Sequence, residues 1–317
     1  MNTFNKLSLI EKRNMAIEKL VEYYAEYRIY CYKRGDKLKG IEFRKKIHSL
    51  INLILKIDQI LSHENNIVIS NKNTAEPSNS KIFACTHIGG NDIQRTFQVI
   101  KEPAYLMLGD PGILYKMPIY QGLKLNGVIP LETKNKEDRK IAYKRSIELL
   151  KNGGNLLIYP EGAWNVSPNV IVMKTFVGTV RMAKETGVDI VPIGVEQYGK
   201  NFYFNIGENY RIDKNTSKSE VELNSELRDK LATLKWEIME KQPILKREEV
   251  PNLEDFQSEI VERCNYGYGF SLEDALSESF HDKTITTEEE AFAHLDNIDL
   301  NKNNAFLLRT KTKTLKR

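Results

Sequence analysis

His87 and Asp92 lie five positions apart in Thr86-His-Ile-Gly-Gly-Asn-Asp92, directly after the apolar stretch Lys81-Ile-Phe-Ala-Cys85. An imidazole and a carboxylate placed where a strand gives way to a helix can do proton chemistry. The carboxylate orients one ring nitrogen, and the other takes a proton from a hydroxyl. Such strand ends form the rim at which open α/β sheets bind ligands. The pair by itself is equally what a simple loop cap looks like. A carboxylate recurs at a second strand end, where Asn155-Leu-Leu-Ile-Tyr159 runs into Pro160-Glu161-Gly162-Ala163-Trp164-Asn165. The apolar run Asp189-Ile-Val-Pro-Ile-Gly-Val195 holds Pro192, a residue that in a strand marks an edge, a bulge or a pocket wall. Asn126-Gly127-Val-Ile-Pro-Leu-Glu132 is a further strand candidate.

Other chemistry is available in principle. Cys85 and His87 point to the same side of an extended strand, and a thiolate beside an imidazole can form an acyl-enzyme. The apolar neighbours of Cys85 fit a small buried hydrophobe better. His48, His63, His281 and His294 form no ligand pattern, so no metal is expected.

Taken in order, these blocks resemble the glycerolipid acyltransferases, the family of 1-acylglycerol-3-phosphate acyltransferase, over roughly residues 81 to 199. His87 and Asp92 match its His-x4-Asp motif, and Gly127 to Glu132 match part of the second. Tyr159-Pro160-Glu161-Gly162 match the third, and Ile190-Val191-Pro192-Ile193 the fourth. Lys174 with Gly178 is similar to the family's Phe-Lys-x-Gly element. The resemblance implies acyl transfer from a thioester, acyl-CoA or acyl-carrier protein, to a hydroxyl of a lysophospholipid or related lipid. In it His87 is the general base and Asp92 orients it, with no acyl-enzyme and no cofactor beyond the donor. Gly127, Glu161, Gly162 and Lys174 would contact substrate, and Pro192 would support the pocket. Backbone N–H groups near Gly89 or Gly162 would suit the oxyanion.

Three departures bear on the acceptor. Thr133 stands where the second motif has arginine, Ala163-Trp164-Asn165 where the third has Thr-Arg-Ser, and Gly89 where the family usually has serine. Arginine grips phosphate with paired, charge-assisted hydrogen bonds, whereas Trp164 offers a flat apolar face and one donor. Lys134, Lys136, Arg139 and Lys174 are the nearby cations. The alternatives are acyl transfer to a non-phosphorylated acceptor such as a sugar, glycolipid or polyketide hydroxyl, and a non-catalytic lipid-binding protein.

Strand patterns at 67–69, 82–85, 104–108, 128–131, 156–159, 190–195 and 202–206 alternate with helical ones at 136–150, 170–185 and 223–241. That alternation predicts an α/β fold: a mixed, mainly parallel sheet of about seven strands covered by helices. Three parts are expected: an N-terminal helical hairpin (1–63), the acyltransferase α/β domain (64–244), and a C-terminal extension (245–317), acidic and then basic and partly disordered. In the hairpin's second helix Phe43, Ile47, Leu50, Ile54, Ile57 and Leu61 recur at helical spacing. The turn at 33–46 carries seven Lys/Arg against Asp36 and Glu42. Packing on the core and shallow insertion into a membrane surface are both consistent with such a stripe.

With 41% hydrophobic and 28% charged residues and a net charge of +4, the 317-residue chain can bury a full core. No aromatic-basic repeat or zinc spacing suggests nucleic acid. Three scattered cysteines predict a reducing cytoplasm without disulfides. Lacking an apolar run of bilayer length, the chain would touch a membrane only peripherally, on its inner face.

Overall fold

In a computed structural model, residues 3–243 are described apart from 110, 117–120 and 166–169, and beyond 243 only Asn252, Asp255, Ser258 and Glu273 are. One compact unit spans Met1–Ser279. Apart from those four residues, the expected C-terminal extension lies outside the described residues.

The N-terminal helices are α1 (Leu9–Asn14), α2 (Ile17–Lys33) and α3 (Ile41–Leu61). The hairpin's first arm is therefore two helices: α1 starts after Ser8, whose side chain and Glu11 form a capping box, and ends at the extended Met15, and α2 starts after Ala16. The strands are β1 (Asn65–Asn71), β2 (Lys81–Cys85), β3 (Ala104–Leu108), β4 (Val128–Pro130), β5 (Asn155–Ile158), β6 (Asp189–Tyr198) and β7 (Asn201–Ile206). Between them run α4 (Asp92–Ile100), α5 (Ile113–Lys116), α6 (Gln121–Asn126), α7 (Lys136–Lys151) and α8 (Gly178–Thr186), and α9 (Glu220–Met239) follows. The seven strands form one sheet in the order β1-β7-β6-β2-β5-β3-β4. Only β6 and β7 pair antiparallel.

The alternation of strand side chains divides the core in two. Ile82, Ala84, Leu156, Ile158 and Ile190 pack against α7, α8 and α9. Phe83, Cys85, Leu157, Val191 and Ile193 face Phe97 and Ile100 of α4, with Leu55 of α3 at the border. Strands this buried on both faces need no polar alternation, which is why they read as continuous apolar runs.

Two expectations are corrected here. The helical pattern at 170–185 becomes helix only from Gly178. The amides and carbonyls of the preceding segment are taken by tertiary partners: Met173 N–H by Glu161, Thr175 C=O by Asn224, Val172 C=O by Arg228. Pro192 does not mark an edge or a bulge, since β6 lies between β7 and β2. Its nitrogen points toward the β7 side, just beyond Ile193↔Ile206, where that ladder ends, and its carbonyl accepts from Gly207 N–H at 2.9 Å. Its missing N–H leaves the Pro192–Gly207 pair, at the end of that ladder, with one bond in place of two.

Candidate active site

His87 lies just past the C-terminal end of β2, beside the ends of β5 and β6. Its Nδ1 is 2.8 Å from Asp92 Oδ2, the first residue of α4. The same oxygen accepts from the amides of Ile88 (2.9 Å) and Gly89 (3.0 Å). Gly89 and Gly90 have φ of 84° and 63°, a left-handed bend that returns the chain to the helix start. Asp92 is 1% exposed, and its charge at a helix N-terminus is favoured by the aligned peptide dipoles. A carboxylate held this way fixes the Nδ1–H tautomer and leaves the Nε2 lone pair to act as base. Among the described residues, no hydrogen bond engages Nε2.

Four neighbours hold the imidazole and its backbone. The Tyr159 ring lies over it at 4.2 Å between centroids, and Trp164 meets it edge-on at 6.4 Å. The buried Asn165 donates its N–H to the His87 carbonyl at 2.8 Å, and its amide bonds the carbonyls of Val170 and Ile171. Glu161, 1% exposed, accepts from His87 N–H through one oxygen (3.0 Å) and from Met173 N–H through the other (2.8 Å). Burial pushes the Glu161 carboxyl up from its ordinary range, opposed by the Lys235 charge, the two amides and His87. Glu161 is therefore a clamp on the His87 loop.

The other residues picked out by sequence fall in different places. Gly162 takes φ 72° in the turn after Glu161, and a Cβ there would meet the Phe176 ring at 2.4 Å. The Gly162 N–H bonds Tyr159 C=O, and that of Gly89 bonds Asp92. The amides of these two glycines themselves are thus already committed. Lys174 is exposed one residue after Met173. Gly127 precedes β4 and so lies at the opposite rim from His87, where a Cβ would strike Arg44 and the Tyr105 ring at 2.9 Å. Its glycine answers to packing and does not join the His87 rim. Pro192 pairs in register with Ala84, three residues below His87, and its ring lies near Gly207. Thr133 sits at the His87 end of the sheet beside Gly109, and its carbonyl accepts from the Arg139 guanidinium.

Cys85 is fully buried with Sγ 3.7 Å from Thr96 Oγ1, and burial pushes its thiol well up. A thiol so placed is a poor nucleophile at neutral pH. Among the described residues no group of His, Cys, Asp or Glu could hold a metal ion.

Sequence reasoning missed the second layer. Arg95 is fully buried and bonds Glu64 Oε2 (2.8 Å), Asp58 Oδ2 (2.6 Å) and Gln98 Oε1 (2.9 Å), while Asn91 also bonds Glu64. These ties join α4 to α3. Lys235 is 4% exposed and pairs with Glu196 at 2.8 Å. Its signal was visible: it occupies a place in the apolar stripe of Leu227, Leu231, Leu234 and Ile238.

Residues 66–196 match the family described as Acyltransferase. A chloroplastic 1-acyl-sn-glycerol-3-phosphate acyltransferase of Brassica napus is 23% identical over 158 residues, 50% of this chain and 45% of its own. Its Arabidopsis thaliana counterpart is 24% identical over 158 residues, 50% of this chain and 43% of its own. The match thus spans less than half the length of these relatives. The crystal structure of PlsC, the 1-acyl-sn-glycerophosphate acyltransferase of Thermotoga maritima, superposes with a TM-score of 0.51 at 19% identity, covering 78% of this chain and 100% of that one. The histidine clamp at the strand ends, the ordered motifs and these matches agree: residues 66–196 match the Acyltransferase family, and half of the chain is similar to 1-acyl-sn-glycerol-3-phosphate acyltransferases.

Proposed function

We propose that this protein transfers an acyl group from acyl-CoA or acyl-carrier protein to a hydroxyl of a lysophospholipid or related lipid, at a membrane surface. The observation that carries this is the His87–Asp92 pair, 2.8 Å apart at a strand-end rim, with Nε2 left to a substrate. In this mechanism the acceptor oxygen attacks the thioester carbonyl carbon as Nε2 takes its proton. The C–S bond then breaks, and the imidazolium returns the proton to the departing thiolate. The buried Asp92 charge supports the imidazolium, so the step needs no acyl-enzyme.

Peripheral membrane contact is part of the reading. Phe43, Leu50, Leu53, Ile54, Ile57, Ile60 and Leu61 of α3 are between 51% and 74% exposed, and the basic turn precedes them. An apolar helix face flanked by cations suits an anionic headgroup layer. No described helix is long and apolar enough to cross a membrane.

The test is incubation with labelled acyl-CoA or acyl-carrier protein, with lysophosphatidic acid and separately with a total lipid extract. A labelled acyl ester that disappears in His87→Ala is expected. No labelled product with either donor overturns the reading.

Trp164 edge-on to His87, with Thr133 where the family has arginine, favours a second reading, a neutral acceptor. It predicts a lower kcat/KM for lysophosphatidic acid than for neutral lysolipids, glycolipids or long-chain alcohols. A preference for lysophosphatidic acid that collapses in Lys174→Ala or Arg139→Ala would reverse it and identify the phosphate ligand.

A further inference from the structure

Lys12 of α1 and Lys124 of α6 converge on one aromatic ring. Lys124 Nζ lies 3.6 Å from the centre of the Tyr115 ring and Lys12 Nζ 5.7 Å from it, and Lys12 is also 4.3 Å from the ring of the buried Phe4. Four rings make the floor of this cluster. Phe4 stacks on Tyr24 with centroids 4.8 Å apart, Tyr115 meets the two edge-on at 5.3 and 5.2 Å, and Tyr27 tilts against Phe4 at 5.5 Å. Rings packed in such stacked and edge-to-face arrangements hold one another in place.

What the cluster lacks is negative charge. Arg28, on the same floor 4.2 Å over the Tyr24 ring, is bonded to Asp138 at 2.9 Å. The buried Lys81 and Lys235 face Glu102 (2.9 Å) and Glu196 (2.8 Å). Among the described residues neither Lys12 nor Lys124 makes an ion pair, and Glu11, the acid next in sequence, is turned to the amide and hydroxyl of Ser8, both at 2.7 Å. A ring face attracts a cation but carries no net charge, so the two ammoniums still repel. Burial and the Lys12 charge together bring Lys124 down to about 8. Like charges gathered with no acid to balance them concentrate counter-ions.

The surroundings narrow the kind of anion. Leu9 and Ile10 of α1 are 66% and 73% exposed, and Leu125, beside Lys124, is 55% exposed. α1 packs on α5, α5 on α6 and α6 on α3, the helix with the outward apolar stripe. Two ammoniums match the double charge of a phosphate monoester, whose three oxygens accept from both. Exposed aliphatic side chains next to each lysine suit an acyl chain attached to it.

We propose that Lys12 and Lys124, on the Tyr115 ring, form a binding site for the phosphate group of an anionic lipid. The lipid source rests on the membrane contact proposed for α3, whereas the phosphate chemistry stands without it. A lipid held there ties the protein to the surface through one headgroup, in addition to the general attraction of the basic turn.

The test reads the side-chain ε-methylene resonances of Lys12 and Lys124 in the full chain by NMR, with inorganic phosphate as the first probe. Phosphate should shift both along one saturation curve and raise the Lys124 midpoint from about 8 by at least about one pH unit. Chloride at the same ionic strength should do neither. Lys12→Gln should weaken the Lys124 response at least about tenfold, and Lys12→Arg should retain it. The second probe is phosphatidylcholine vesicles with and without phosphatidic acid. Lys12→Gln combined with Lys124→Gln should lower binding to the phosphatidic acid vesicles at least about tenfold. Lys37→Gln combined with Lys39→Gln removes the same charge from the basic turn and should cost clearly less. No shift with phosphate overturns the site, and so do equal losses in the two double variants. A phosphate response with vesicle binding unchanged in Lys12→Gln, Lys124→Gln overturns the lipid assignment in favour of a soluble phosphate ester. If the intact chain binds neither vesicle, the membrane contact fails and takes the lipid assignment with it, while the phosphate curve still decides the site.

Discussion

Helices α3 and α4 lie side by side, both with one apolar face, and they turn those faces in opposite directions. From α4, Phe97 and Ile100 enter the core beside Phe83, and Arg95 joins them with every guanidinium nitrogen bonded. From α3 it is mainly the polar face that turns inward. Arg44 bonds the Tyr105 hydroxyl (2.8 Å), Asp58 meets Arg95 (2.6 Å), and Gln59 accepts from Gln98 (3.1 Å). The α3 apolar stripe, Phe43 to Leu61, is left facing outward. A helix attached to its own protein through polar groups, with a broad apolar face outside, is what the proposed membrane contact requires. Apolar periodicity therefore identifies a face but does not say what it faces.

The contrast predicts that damage on the α4 side abolishes chemistry or folding, while damage on the outer face of α3 spares both. The largest effect is expected at the end of β2. His87→Ala should lower kcat by at least ~10²-fold at saturating donor, with binding to anionic vesicles unchanged. Activity within threefold of wild type would remove His87 from the mechanism.

The two helices can be compared directly. Phe97→Ala on α4 should cost about 3–5 kcal/mol in denaturant unfolding, as for other large buried aromatics. The triple change Leu50→Ser, Ile54→Ser, Ile57→Ser on α3 should leave unfolding within about 1 kcal/mol, since exposed sites contribute little. It should weaken vesicle sedimentation at least tenfold, given ~25 cal/mol per Å² of apolar area withdrawn from water. Loss of stability without loss of vesicle binding would mean that the stripe packs against protein.

The smallest effect concerns the cations next to α3. Lys124 of α6 lies 3.6 Å above the Tyr115 ring, and burial, aided by nearby Lys12, brings its pKa down to about 8. A base whose folded value is below its unfolded one is less protonated in the native state, so stability rises with pH across that interval. Tm should therefore gain a rising component between about pH 8 and 10.5, absent in Lys124→Met. The same component surviving in that variant would refute the assignment.

Much of the candidate rim was legible without coordinates. His87, Asp92 and Glu161 stood at strand ends in a motif order, and the central strands β2, β5 and β6 read as apolar runs because they are buried on both faces. Gly127 misled because a glycine at a strand start reads the same whether a substrate or a neighbouring tyrosine needs the room. Residues 170–177 misled because helical periodicity was present while Glu161, Asn224 and Arg228 claimed the backbone instead.

By itself the sequence determined the strands, the histidine–carboxylate pair and the existence of an apolar stripe at 43–61, since each depends on residue type and short-range spacing. Contacts between distant segments put Glu161 on the His87 amide, buried Lys235 beside Glu196, and turned the apolar face of α3 outward. Those outcomes depend on which segments meet. At Gly194, 41 residues earlier in the chain, a Cβ would lie 2.8 Å from the Lys235 nitrogen, and no local pattern records such a contact.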